Sequence, residues 1–440
     1  MSSRRHFKNF LDGYLEYTSD LEATKRINTF SGISGVGAML ERRVFCEMSY
    51  GPLFPNLFTY IVGPPGRTRK SSSTNMMVKL LEKLPDFKMM ANKITAAAML
   101  DEIEKAQKTV KGFDGQDYTH CSTMLYASEL KNTFNMLGGT VAEQLTELYD
   151  SGPSFKKQTK HSGANYLYNV CLNILACTTV DWLLSHIGVD EVEGGLASRI
   201  LFVVENGEPE KLVALPKVTA KMTKLKHMLL EDMAQIYSLR GECTFTASAA
   251  EAYTTWYNQH RNIDSHKVGA FIAFMARKDV HVIKLAMIHA VCLGNDLVIT
   301  PSNIEWAIKQ LNSIEPDIER AFIVGRNALY RDSCEVFNFI EQQGKVDRAM
   351  LLNRVARNTR GKELQEILND LIERKKIRML IEDNTTLYCV APASIHTRSR
   401  STKLGDGSDL DHLRNGAKST SDDRPLAETS DSPDPTVVPE

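Results

Sequence analysis

The sequence predicts an α/β protein: a parallel sheet with flanking helices, then a helical domain, a three-helix unit closed by a hairpin, and a disordered tail. Three observations carry this. Apolar strands alternate with helical stretches up to about residue 205, as in chains whose helices pack on a parallel sheet. From 217 to about 329 the strand signal is lost and helical spacing takes over. After Pro392 the composition turns to Ser, Thr, Asp, Gly and Pro, too polar to repay the entropy of folding. The expected units are an N-terminal helical segment (1–50), the sheet core (51–215), a helical domain (216–330), a third compact unit (331–392) and the tail (393–440).

Taken in order, Leu11, Tyr14 and Leu15, then Ile33, Val36, Met39 and Leu40, fall at helical spacing. The apolar run 57–62 reads as a strand entering Gly63-Pro-Pro-Gly66, and a helix is expected from Ser72 to Leu84, stopped by Pro85. Further helices are expected over 249–256 and 280–293, and another opened by Pro301-Ser302. In the third unit Val336, Phe337 and Ile340 share one helix face, Asp347 caps a second helix, and Leu364, Ile367, Leu368 and Leu371 face inward on a third. Strands over 377–381 and 386–390 follow, joined through Asp383-Asn384; three helices and a hairpin are the winged-helix order.

The 440 residues exceed one average domain, and 42% hydrophobic with 24% charged residues fits an ordinary globular chain. A formal net charge of -1 confines any nucleic-acid surface to a local patch. The basic start lacks the apolar stretch of a secretory signal, and the longest apolar run, 169–180, suits a buried strand rather than a membrane span. Eight cysteines without a Cys-x-x-Cys pair read as buried reduced thiols, so the expected location is cytoplasmic, away from membranes.

The chemistry is read from four segments. Gly63-Pro-Pro-Gly66-Arg-Thr-Arg69-Lys70-Ser71 follows a strand and opens a helix. Such a turn aims backbone N–H groups and the positive helix end at a phosphate, with Gly63, Gly66, Arg69, Lys70, Ser71 and Ser72 as the binding set. Lys70 is the point charge and Ser71 the magnesium ligand; Arg69 stands where the standard string has glycine. The strand 124–127 ends at Ser128-Glu129, a carboxylate to orient a lytic water and, with Ser71, to serve Mg²⁺. The run 172–177 ends in Thr178-Thr179, hydroxyls at a strand's carboxyl end, where ligands sit in parallel sheets. Gly194-Gly195-Leu-Ala-Ser-Arg199 puts one arginine before an apolar strand, a candidate for neutralising transition-state charge.

Together with Pro55-Asn56, Leu145-Thr-Glu-Leu-Tyr149-Asp150 and the segments above, residues 8–315 resemble the P-loop ATPases of phages, plasmids and mobile elements described as primase–helicases or replicative helicases. The resemblance implies a P-loop NTPase core of the RecA/AAA+ kind, ring assembly, ATP and Mg as cofactors, and translocation on DNA, single-stranded DNA in particular. It implies nucleotide binding by Gly66, Lys70 and Ser71, water activation by Glu129, and γ-phosphate sensing by Thr178 or Thr179. The resemblance further implies that Arg199 acts on a neighbouring subunit and that Arg277 belongs to a helical lid over the nucleotide. Two positions depart from the family's pattern: Arg69 replaces a glycine, and Ser128 replaces the magnesium aspartate. No primase domain is recognisable, so primer synthesis requires a separate primase.

Two stretches are candidates for nucleic acid. The segment 154–166 reads as a hairpin around Ser162-Gly163 with Lys156, Lys157, Lys160 and His161 along it; phosphate contact by lysine is electrostatic and independent of sequence. The third helix and wing of the 331–392 unit carry Lys362, Arg374, Lys375 and Lys376. The expected activity is an ATP-dependent DNA helicase or translocase. The alternatives are a DNA-binding regulatory ATPase switch that does not unwind, and a nucleotide-binding structural protein.

Overall fold

The computed structural model describes residues 4–391, except 91–93, 112–114, 138–140, 160–162, 187–194, 206, 208, 210, 215–216, 261–269, 327, 356–360 and 383–384. The expected tail, 393–440, therefore lies outside the described residues.

A five-stranded sheet organises the chain. Its strands are β1 (Phe58–Val62), β2 (Gln107–Lys111), β3 (Asp117–Ala127), β4 (Val170–Thr178) and β5 (Ile200–Val204), in the order β2-β3-β4-β1-β5. The last four run parallel, and β1, β4 and β5 are buried throughout, which is why each reads as an unbroken apolar run. The edge strand β2 departs from the expected all-parallel sheet by pairing antiparallel with β3. The reason is local: too few residues separate β2 from β3 for a crossover, so the chain turns back on itself. Its alternating exposure leaves Gln107, Thr109 and Lys111 facing water, as suits an edge.

Register places the chemistry. Val62 pairs with Thr178 on one side and Val204 on the other, so the loop after β1, the end of β4 and the end of β5 meet at one edge. The opposite edge holds Asn56, Asn169 and Arg199, where β1, β4 and β5 begin. The helix Lys70–Leu81 leaves the loop; it starts two residues before the expected Ser72.

Two helices, Phe10–Tyr17 and Lys25–Leu40, precede the sheet and join its core. Ile27, Phe30, Ile33, Val36, Met39 and Leu40 are buried with the sheet residues in one cluster that runs on to Ala321. The helices Ala220–Ser238, Ala247–His260, Ala270–Ala276, Lys278–Leu293 and Pro301–Arg326 share this cluster. The region is not all-helical as expected: Val44–Phe45 pairs with Gly241–Glu242, and Thr244–Phe245 with Val298–Ile299, both parallel. Pairs of two residues are too short to show a sequence period.

A second cluster, Val336, Ile340, Val346, Leu351, Leu364, Ile367, Leu368, Leu371, Ile377 and Tyr388, holds the C-terminal elements. Helices Ala328–Gln343, Arg348–Val355 and Gly361–Glu373 are followed by antiparallel strands Ile377–Glu382 and Thr385–Val390. The Asp347 carboxylate accepts from the Met350 amide at 2.8 Å, the cap its position predicts. A third strand, Val346–Asp347, pairs with Thr385–Val390 and carries no sequence signal of its own, being two residues long.

The chain is thus a mixed α/β protein whose central sheet is mostly parallel. Among the described residues no helix is long and apolar enough to cross a membrane.

Candidate functional site

A cavity of about 400 Å³ opens at the sheet edge where β1, β3 and β4 end. Its lining includes Gly66, Arg69, Lys70, Ser71, Ser72, Ser128, Glu129, Thr178 and Thr179. Segments far apart in sequence are brought together by strand order alone.

The loop geometry follows from its glycines. A side chain at Gly63 would put its Cβ 2.5 Å from the Glu205 carbonyl oxygen, so the chain passes β5's exit only without one. Gly66 has φ +77, a conformation glycine adopts without strain. Arg69 has φ 50 and ψ 28, and no side chain caps the helix that starts at Lys70. The first-turn amides therefore face the cavity without a capping oxygen, the arrangement that attracts an anion.

Lys70 is buried, and its Nζ donates to the Gly63 carbonyl at 2.7 Å and the Pro64 carbonyl at 3.0 Å. Desolvation pulls its pKa below the ordinary lysine value, with a smaller opposing pull from the Cys177 thiol. A phosphate bound here would supply the counter-charge that two carbonyl dipoles supply only in part. The Ser71 hydroxyl donates to the Ser128 carbonyl at 3.0 Å. Behind it, Thr74 Oγ1 lies 3.1 Å from Tyr126 Oη and 3.4 Å from Cys177 Sγ, fastening the helix to β3 and β4.

Glu129 is exposed at the cavity rim, accepting from Asn132 Nδ2 at 2.7 Å. Thr178 is buried, and its carbonyl accepts the Gly63 amide at 3.1 Å. The Thr179 hydroxyl is already engaged, accepting the Trp182 amide at 3.3 Å at the start of the helix Val180–His186. The residues suit a nucleotide's phosphates: uncapped amides, Lys70 and Arg69. For magnesium they offer one hydroxyl and one carboxylate, so most ligands to the ion must come from phosphate and water.

Arg199 and Arg277 are not in this cavity. Arg199 precedes β5, so the length of that strand, about 16 Å, separates it from the loop. Arg277, expected in a helical lid over the nucleotide, stands away from this cavity: Arg277 and Arg199 share the Asp150 carboxylate at the opposite sheet edge. Arg277 reaches Asp150 Oδ1 at 2.8 Å, while Arg199 reaches it through Nε at 3.2 Å and also binds the carboxylate through Nη2. Burial fixes this corner. Tyr149 stacks edge-on against Phe58 at 5.0 Å, and the Lys284 ammonium lies 4.0 Å from the Tyr149 ring centroid. Lys284 donates to the Asn56 carbonyl and Oδ1, and desolvation lowers its pKa to about 7.

The expected hairpin is present as Ser154–Thr159 paired with Gly163–Tyr168. Lys156 and Lys157 stand in its first strand; Lys160 and His161 lie outside the described residues. In the C-terminal unit Lys362 is in the third helix, Arg374 pairs with Asp370 at 2.9 Å, and Lys376 lies 5.5 Å from the Phe337 ring centroid. Arg374, Lys375 and Lys376 are exposed, with Lys375 at φ 54 where the helix ends. Two acids with a place in this arrangement, Asp150 and the Arg69 partner Glu22, carry no role that sequence reasoning assigns. Asp150 ends the segment 145–150, but ion pairing over such separations leaves no local pattern. No family model matches the chain, and no curated protein is significantly similar to it.

Proposed function

We propose that the protein is an ATP-dependent DNA helicase or translocase of phage or mobile-element replication, hydrolysing ATP between the subunits of a ring. The observation that carries this is one cavity lined by Lys70, Ser71, Glu129 and Thr178. In this reading the core is a P-loop NTPase: the uncapped amides and Lys70 hold the phosphates, Ser71 turns from the Ser128 carbonyl to Mg²⁺, and Glu129 orients water. Thr178 is the better sensor of the γ-phosphate, since the Thr179 hydroxyl is committed to a helix cap. Arg199 sits too far from its own loop and serves a neighbour's nucleotide. The hairpin lysines and a C-terminal winged helix contact DNA, and a separate primase supplies primers.

The test is ATP hydrolysis by wild type and Lys70→Ala, with and without single-stranded DNA, followed by strand displacement. Turnover that DNA stimulates and Lys70→Ala reduces at least about a hundredfold is expected, from loss of a phosphate-bound charge in the transition state. A wild type that hydrolyses nothing in either condition removes the motor. DNA-stimulated turnover without strand displacement leaves the switch.

A further inference from the structure

The turn that closes the phosphate-binding loop ends on a residue whose backbone favours glycine. Arg69 lies in the left-handed region, φ 50 and ψ 28, immediately before the helix that presents Lys70. A β-carbon in that region crowds its own carbonyl, so the conformation persists only where neighbours impose it. Within the helix the Ser73 amide donates to the Arg69 carbonyl at 3.1 Å, which orients that carbonyl but does not set φ, and the Arg69 side chain makes no cap.

The outside restraint is Glu22. Its carboxylate pairs with the Arg69 guanidinium through Nε, and its other oxygen accepts the Val213 amide at 2.9 Å. Glu22 is largely buried while Arg69 is half-exposed, with side-chain exposures of 13% and 53%. The acid is therefore the fixed member of the pair and the arginine the one being held. Its own anchorage is firm. Two residues on, Thr24 caps the helix Lys25–Leu40, and its hydroxyl donates to Glu205 Oε2 at 2.8 Å, beside the carbonyl that excludes a side chain from Gly63. The Val213 amide first, and then Arg69, keep the Glu22 carboxyl below the usual carboxylate range, so it stays charged at neutral pH.

We infer that Glu22 is a positioning residue for the phosphate-binding loop: by holding Arg69 it imposes the left-handed turn that glycine supplies in the standard loop. Its consequence for nucleotide affinity rests on the function proposed above; the clamp itself belongs to the free protein. The pairing also explains how an arginine is tolerated at this position. Removing the need for the clamp, by Arg69→Gly, must make Glu22 dispensable.

The experiment combines Glu22→Gln, Arg69→Gly and the double variant in the full chain. Glutamine keeps an acceptor for the Val213 amide and removes only the charge. Two quantities are read: amide hydrogen exchange of residues 63–72 without nucleotide, and the dissociation constant for a fluorescent ATP analogue. Glu22→Gln should speed loop exchange and weaken the analogue by about fivefold each, the upper end for one half-exposed ion pair. In the Arg69→Gly background the same change should shift neither by more than about twofold. Equal effects in both backgrounds mean that Glu22 acts through Val213 and the fold, and no effect in either means there is no clamp; both results overturn the inference. If no variant binds the analogue, the nucleotide reading falls, while the exchange data still decide the clamp.

Discussion

Asp150 receives two guanidinium groups at a sheet edge remote from the loop 63–71, and neither arginine lines the cavity that holds Lys70. In the ring proposed above, each active site would join the loop of one subunit to the opposite edge of the next, and Arg199 would face a neighbour's γ-phosphate. On that proposal Asp150 would hold Arg199 extended and would compete with phosphate for it. This makes a complementation test available. Lys70→Ala and Arg199→Ala should each be inactive alone, yet an equal mixture should regain about a quarter of wild-type turnover, the share of interfaces pairing an intact loop with an intact arginine. Absence of any recovery after subunit exchange rejects action between subunits. Lys70 is legible in the sequence because strand, loop and helix are contiguous there. The Asp150 pairing is not, since Arg277 lies 127 residues from it. Thr179 shows the limit of residue type as evidence: its neighbour Thr178 has the same hydroxyl, and only the Trp182 amide separates their roles.

The helix Lys25–Leu40 is the element on which the loop strand rests. It is buried on almost every side, so Ser31 and Ser34 return their hydroxyls to the carbonyls of Ile27 and Phe30, and Ser34 also bonds Thr59 on β1 at 2.8 Å. Close approach depends on its glycines. A Cβ at Gly37 would lie 2.7 Å from the Pro55 carbonyl, which is backbone and cannot swing aside, whereas at Gly35 the obstacle is the flexible end of Met77. Gly37→Ala should therefore destabilise the fold by about 1–3 kcal/mol, the range for overpacking, and Gly35→Ala by less. Thermal midpoints of the two variants check the order, and an unchanged midpoint for Gly37→Ala contradicts this packing. The helix is legible from its spacing; its burial on almost every side is not, because Asn28, Ser31 and Ser34 put polar side chains on faces that the fold nevertheless buries. Likewise β2 carries too little apolar pattern to announce an antiparallel edge.

At the scale of the whole molecule the expected boundaries at residues 50 and 215 do not coincide with breaks in the core, since one cluster runs from Phe10 to Ala321. Composition marks linkers only where chain segments pack separately, as the C-terminal cluster does. A single large core also buries groups that no local pattern flags, and these set the response to pH. Burial lowers the pKa of His120 and His281 to about 3 and that of His289 to about 4, from an ordinary 6.5. Cations Lys108, Arg43 and Arg42 add to the effect at His120, whose Nε2 is 3.9 Å from Glu41. His281 donates from Nε2 to the Ser198 carbonyl at 3.0 Å, and its Nδ1 is buried without a partner among the described residues. His289 stacks on Trp306 at 4.1 Å. With folded pKa values below unfolded ones, the unfolded chain binds more protons between about pH 4 and 6.5, so stability is lost as pH falls through that window. Each histidine contributes up to about 1.4 kcal/mol per pH unit there. Lys284, lowered from 10.5 to about 7, acts in the same direction at higher pH: the folded state gains stability as pH rises from about 7 towards 10.5. The thermal midpoint should therefore climb from pH 4 to pH 9, steepest below 6.5. His281→Gln, which keeps a donor for Ser198 but cannot take up a proton, should flatten the acid limb while leaving the limb above pH 7 in place. A midpoint independent of pH between 4 and 6.5 means that these imidazoles are not buried as neutral groups, and with them falls the packing of helix Lys278–Leu293 against the start of β5.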